Sequence, residues 1–349
     1  MSAYIKGMGN ISPQKTWEGG PLLQDVLSYN GERLVCHEPD YTGYVDPRQL
    51  RRMSRIIKMG VAAGTMALRN AALQVPDGIV TGTAYGCLED TGIFLNKMLE
   101  NNENALNPTP FIQSTHNTIG SQIALLLQCQ GYNQTYTQGA FSFENALLDS
   151  LLQLKEEPTQ SLLVGGIDEI TETSHGIQRR FDLFSEKSSL DLYNHNDSTM
   201  NGEGAAFFVL SGVAATGESV CVDGVRTYYK VTDQQLEKAM VTFLEDHSVE
   251  AEDVDLLLFG RSGKKEFDLM ADSIQQKYFA KERVGLFKHL SGEYPTASAF
   301  ALWAGARIVQ ENFVPESIVF TGNKRNIERV LILNSYFGTH HSFILLRKC

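Results

Sequence analysis

Four short runs, "GIVTGTAYG" (78–86), "SLLVGGIDEI" (161–170), "VDLLLFGRSG" (254–263) and "RVLILNSYFG" (329–338), are apolar almost without interruption and are bounded by glycine or polar residues. A strand with one wet face alternates apolar and polar side chains, so runs this continuous belong to strands covered on both faces. They read as interior strands of a mainly parallel sheet. Between them lie "DPRQLRRMSRIIKMGVAAGTMALRNA" (46–71), "GSQIALLLQC" (120–129), "SFENALLDSLLQLKE" (142–156) and "TASAFALWAGARIVQEN" (296–312), whose apolar residues fall three and four apart, the spacing of helices with one buried face. Alternation of the two patterns makes the fold class α/β.

Each half of the chain closes in the same way: "SLLVGGIDEI" is followed after a gap by "GEGAAFFVLSG", and "RVLILNSYFG" by "HSFILLRK". This is the trace of an internal duplication. It divides the 349 residues into two similar halves, 1–212 and 213–349, without an obvious linker. The longest stretch lacking periodicity is 171–202, and a loop of that length inside a compact domain suits contact with substrate or a second subunit.

Composition removes several classes of function. A net charge of −11 argues against nucleic acid as a partner, since phosphate contact needs lysine and arginine clustered on one face, and pairs such as Arg51-Arg52, Arg179-Arg180 and Lys264-Lys265 read as solvated surface. No apolar run approaches the roughly 18 residues of a membrane span, and the first residues lack the charged-then-apolar layout of a secretory signal. A cytoplasmic protein without membrane contact is expected. The five cysteines, at 36, 87, 129, 221 and 349, show no CxxC spacing, which argues against a zinc site or a disulfide framework and makes each an isolated thiol.

A strand leading into a tight turn and a helix, "TYTQGAFSFENALLDS" (135–150), is the shape in which acyl-transferring enzymes hold a nucleophile, because helical N–H groups there face incoming charge. Together with "GIVTGTAYGCLED", "NPTPFIQSTHNTIGSQIALLL", "SLLVGGIDEIT", "NGEGAAFFVLSG" and "VLILNSYFGTHHSFILL", in that order over nearly the whole chain, it resembles the β-ketoacyl synthases, condensing enzymes of the thiolase fold. The resemblance implies a duplicated, layered αβαβα architecture and a dimer sharing one continuous sheet.

It also implies what the site should hold: a cysteine that takes the acyl chain from a carrier thioester, and two histidines that promote decarboxylation. Carried onto this chain, the cysteine falls at Ala140, or at Gly139 if the register slips by one. The first histidine falls at Gly260, ahead of "RSGKKEFD". The second falls at Glu293 in "KHLSGEYPTASA", where Lys288 and Gly292 are kept. Loss of a nucleophile from residues that act as a unit costs on the order of a millionfold, and a carboxylate opposes a developing enolate. No catalytic residue is intact.

The chain therefore resembles the chain length factors, non-catalytic relatives that pair with an active ketosynthase, and in particular short versions from aryl polyene or flexirubin-type pigment clusters. The expected partners are an active ketosynthase, or a second copy, together with acyl carrier protein, and two other readings stay open, an active acyltransferase with relocated catalytic groups and a homodimer that holds a fatty or polyene chain; no cofactor and no metal is expected. Chain length factors carry glutamine at the cysteine position, whereas Gln138 lies one or two residues earlier here. Gln138, Phe141, Phe143 and Phe337 are the candidate acyl-tunnel residues, with plain core the competing role for the two aromatics that flank the turn. Ser142 has no base beside it in the sequence, and His116 reads as structural. His340 and His341, being adjacent on an extended segment, face opposite sides and so cannot share one pocket. Lys288 calls for a carboxylate partner, either Glu203 or Glu293.

Overall fold

The computed structural model describes residues 2–189, 192, 197–214, 219–280, 283–318 and 326–349. In chain order the elements are β1 (Ala3–Ile11), β2 (Asn30–Gly31), α1 (Pro47–Leu50), α2 (Arg55–Asn70), β3 (Gly78–Gly82), α3 (Leu88–Glu100), α4 (Pro108–Gln113), α5 (Thr118–Leu127), β4 (Tyr132–Tyr136), α6 (Ser142–Glu156), β5 (Ser161–Asp168), α7 (Glu172–Arg179), β6 (Lys187–Ser188) and β7 (Gly204–Ser211). They continue with β8 (Val220–Tyr229), α8 (Asp233–Glu245), β9 (Leu256–Gly260), α9 (Lys265–Tyr278), β10 (Val284–Leu286), α10 (Lys288–Ser291), α11 (Ala297–Glu311), β11 (Arg329–Tyr336) and β12 (His340–Lys348).

Ten of the strands form one sheet in the order β10-β9-β11-β12-β8-β1-β7-β5-β3-β4. Read outward from the middle, β1-β7-β5-β3-β4 and β8-β12-β11-β9-β10 repeat the same layout. The strands correspond in chain order and meet at a short antiparallel seam, Ala3 opposite Val222, Tyr4 opposite Cys221 and Ile5 opposite Val220. The sheet is mixed and not mainly parallel. β3 is parallel to β4 and β5, and β9 to β10 and β11, but β5–β7, β1–β7, β11–β12 and β8–β12 are antiparallel. Burial on both faces explains why the sequence misleads here: Ala205–Leu210 of β7 and Phe343–Leu346 of β12 are as continuously apolar as any parallel strand.

The apolar stripes sort the helices into layers. α6 packs on β3, β5 and β8, while α11, buried along nearly its whole length, packs on β11 and β12 and also on β5 and β7. These two helices are the middle layer between the halves. Their side chains, among them Phe143, Phe300 and Trp303, join β-strand residues Phe208, Ile332 and Ile344 in the largest core. α2 covers the outer face of β1, β5 and β7, and α8 and α9 cover the corresponding face of the other half through Phe243, Ala271 and Phe343. The result is the layered αβαβα arrangement of a thiolase-like fold.

Three further expectations are corrected. The stretch 46–71 is two helices, because Ser54 starts a new one, α2, after the turn that follows α1. The stretch 171–202 begins with α7, whose Thr171 and Ser174 cap one another reciprocally; residues 190–191 and 193–196 of that stretch lie outside the described residues. Cys221 and Cys349 are not isolated thiols but form a disulfide 128 residues apart in sequence. Strand pairing places them together, since Cys221 lies opposite Arg347, two residues before Cys349. Among the described residues no helix is long and apolar enough to cross a membrane.

Candidate functional site: a closed elbow beside a buried ion pair

β4 leads through Gln138 into Gly139 at φ +58°, a left-handed turn, and then into α6. Ser142 braces this bend: its Oγ–H donates to the Gly139 carbonyl at 2.7 Å and its Oγ accepts from the Gln138 N–H at 2.9 Å. That occupation of both lone-pair and proton identifies Ser142 as a turn brace. Ala140 is buried, Gly139 is exposed and nothing surrounds the direction its side chain would take. Gln138 bonds Asn145 at the surface.

The elbow meets the turn between β11 and β12. The Phe141 ring stands edge-on to His340, 4.8 Å between centroids, and His340 in turn contacts Tyr229. His341 points the other way and is fully buried, and burial holds its pKa down at about 4. Phe337 has φ +47° and packs between Tyr336 and Phe267. Phe143 is wholly buried against Phe208 and belongs to the main core. The exposed His116 lies against Gly86, at the turn after β3.

Lys288 opens α10 and is buried. Its ammonium donates to Glu293 Oε2 at 2.8 Å and to the Ser335 carbonyl at 2.6 Å. Between the two offered carboxylates the structure chooses Glu293. Glu203 is committed elsewhere: both its oxygens receive the Arg55 guanidinium, and the Cys36 and Ile170 N–H groups complete its shell. Glu293 is placed by backbone contact with the Gly-Glu-Gly turn, its N–H donating to Met200 and its carbonyl accepting from Gly202. Gly292, at φ +77°, comes so near Gly202 that a side chain on either would strike the other's backbone. Burial pushes the Glu293 carboxyl up to about 7, against the pull of Lys288.

The space beside Gly260 is filled. A Cβ there would lie 2.8 Å from Asn334 Oδ1, 3.0 Å from Phe287 Cζ and 3.1 Å from Lys288 Cε. The turn that follows keeps its geometry, because Asp268 accepts from the Ser262 N–H, the Ser262 hydroxyl and the Gly263 N–H. The loop is thus held by bonds from one carboxylate, and the volume beyond Gly260 is occupied.

One feature was not anticipated from the sequence. Glu144, in the first turn of α6, is buried; it accepts from Ser342 at 2.7 Å, and desolvation raises its pKa to about 7. The signal was available: Glu144 falls three and seven residues before Leu147 and Leu151, inside the apolar stripe of its own helix. Among the described residues, the side chains gathered here are the buried carboxyls of Glu144, Asp268 and Glu293 and the ammonium of Lys288, with Gly139, Ala140 and Gly260 at the other positions carried over. The arrangement can hold charge in place.

Residues 34–179 match the family model described as Beta-ketoacyl synthase, N-terminal domain. No curated protein matches by sequence. Among solved structures, the ishigamide ketosynthase/chain length factor is similar at 17% identity and TM-score 0.81, over 99% of this chain and 98% of that one. A ketosynthase (ApeO) in complex with its chain length factor (ApeC) from Xenorhabdus doucetiae is similar at 12% identity and TM-score 0.76, over 100% and 98%. A type II PKS acyl-carrier protein in complex with its ketosynthase, AntDE:AntF, is similar at 13% identity and TM-score 0.75, over 99% of each chain. Residues 34–179 thus carry the signature of the β-ketoacyl synthase N-terminal domain, and the chain as a whole has the thiolase-like ketosynthase fold.

Proposed function

We propose that this chain is a non-catalytic, ketosynthase-like subunit of the chain length factor type, which pairs with an active ketosynthase in a polyketide or polyene pathway of the cytoplasm. The observation that carries the reading is the filling of the space at Gly260 by Asn334, Phe287 and Lys288, with Lys288 locked onto Glu293. A site that had lost a histidine by recent substitution would keep the room for it. Here neighbouring side chains have closed over it, so the scaffold is maintained for something other than condensation.

The surface supports pairing. β4 is an edge strand bonded to β3 on one side, largely exposed, and among the described residues no strand bonds its other side. Leu125 on α5 and Leu148 and Leu152 on α6, the two helices packed against it, are exposed as well. An uncovered edge with apolar flanks is a liability unless a second subunit covers it. The occupant we assign is an active ketosynthase, because the elbow of this chain carries Gly139 and Ala140 where a loading cysteine would stand. Acyl carrier protein would then deliver its thioester to the partner's cysteine, and an aryl polyene or similar pigment cluster is the setting that fits.

Co-expression with ketosynthases encoded near this gene tests the assignment. A stable mixed dimer that condenses acyl units is expected. Persistent self-association with no mixed species would refute it. Intact-mass measurement after incubation with acyl carrier protein thioesters is expected to show no adduct on this chain, and an acyl adduct at any residue would end the non-catalytic reading.

A further inference from the structure

A cleft of about 490 Å³ lies between residues 21–24 and the end of α11, and it shares no lining residue with the elbow or with β4. Three side-chain bonds tie its two walls together. Arg307 Nη2 donates to the Gly20 carbonyl at 3.0 Å, the Leu22 N–H donates to Glu311 Oε2 at 3.3 Å, and the Ser317 hydroxyl donates to the Leu23 carbonyl at 3.0 Å. The last of these helps to hold Leu23 at φ +48°, a left-handed conformation that is costly for leucine. Leu22 and Leu23 belong to the main core, while Pro21 and Phe313 are exposed, so the apolar lining runs from the interior out to solvent. The walls are fixed before anything enters, and the volume is that of a small-molecule site.

The charges that line the cleft have one sign. Glu311 and Glu316 are among its lining residues, and no lysine, arginine or histidine is. Arg307 shares Glu311, donating from Nε to Oε1 at 2.8 Å. Glu316 and the carbonyl end of the 15-residue helix α11 place further negative charge on the same side. We propose that this cleft binds a small organic amine in its ammonium form, with a short alkyl or aryl body against Leu22, Leu23 and Phe313 and the ammonium toward Glu316 and the last carbonyls of α11. An ammonium has three donors and no acceptor, which matches a rim of carboxylate and carbonyl oxygens, and the face of Phe313 attracts a cation as well. A carboxylate of the same size meets repulsion there, and an alcohol gains the apolar contact alone.

The test titrates the full chain with n-hexylammonium chloride, hexan-1-ol and sodium hexanoate at one ionic strength, read by ligand-observed NMR. Hexylammonium should bind saturably, about threefold or more tighter than the alcohol and about tenfold or more tighter than the carboxylate. Glu316→Gln should remove most of the preference for the ammonium over the alcohol. Phe313→Ala should weaken the ammonium and the alcohol together, by about threefold or more. Both side chains are exposed, so the urea midpoint should stay close to that of the wild type in each variant and report that the fold is intact. Absence of saturable binding, an ammonium bound no tighter than the alcohol or the carboxylate, or unchanged affinity in either variant would overturn the proposal. None of these results depends on whether the chain pairs with a ketosynthase.

Discussion

Replacement of Glu293 by glutamine removes the negative charge that faces the buried Lys288 ammonium and leaves it uncharged acceptors, the amide oxygen and the Ser335 carbonyl. Both side chains of the pair are almost wholly out of water, at 1% and 0% exposure. A broken buried pair with one charge left behind costs about 3–5 kcal/mol, and Glu293→Gln should fall in that range. Lys288→Met should cost less. Its remaining partner is a carboxyl already pushed up to about 7, which escapes the penalty by taking a proton. The double variant Lys288→Met/Glu293→Gln should be close to Lys288→Met alone, giving a coupling of about 2 kcal/mol or more between the two sites. Urea unfolding followed by the fluorescence of Trp303, in the central helix, measures all four proteins. Lys288→Met should also lose less stability at pH 5.5 than at pH 8, because Glu293 is neutral at the lower pH. Single-variant losses that simply add in the double variant would show that the two groups do not act as a pair, and the argument for a closed site would fail with them.

Gly260→Ala should destabilise by about 1–3 kcal/mol through overpacking, and Asn334→Ala, which removes the nearest atom, should recover part of that loss in the double variant. The melting temperature should fall as pH rises through neutrality. Burial raises Asp168 to about 6, Glu144 and Glu293 to about 7 and Glu169 to about 8, so the folded chain keeps protons that the unfolded chain releases, and stability falls as pH rises from 6.5 to 8.5. His289 and His341, lowered to about 4, act in the opposite direction only below pH 6.5, where the unfolded chain binds protons that the folded chain refuses. A melting temperature that rises between pH 6.5 and 8.5 would contradict this account.

The interior strands β3, β5, β9 and β11 were legible because hydrophobic runs of that length belong between two layers of a folded chain. β1 was not. Its "AYIKGMGNI" carries a lysine and two glycines, which read as breakers, yet Gly7 and Gly9 are there so that α2 can lie against the strand, with Ala67 O and Ala63 O where side chains would begin. Strand direction was illegible for a related reason: burial on both faces erases the alternation that marks antiparallel pairs. At the site, the resemblance points through the order of the motifs to Ala140 or Gly139, Gly260 and Glu293 as the positions of the three chemical groups, and through spacing to Lys288. What the motifs could not show was which atoms had moved in. Asn334, Phe287 and Lys288 lie 74, 27 and 28 residues from Gly260, and no local pattern connects them. The disulfide escaped for the same reason, since its two cysteines become neighbours only through the register of β8 with β12.

The ion pair and the filled glycine site bear on each other. Lys288 contributes its Cε to the crowding around Gly260 while its ammonium is held by Glu293, so the lysine cannot swing aside to admit a larger residue without breaking a buried contact. Conversely, a histidine placed at Glu293 would offer a partly protonated ring to a buried ammonium and exchange an attraction for a repulsion. Each departure from the condensing-enzyme pattern therefore stabilises the other, and reversing either one alone costs stability before it returns any chemistry. An interior locked in this way admits neither side chain without a loss of stability.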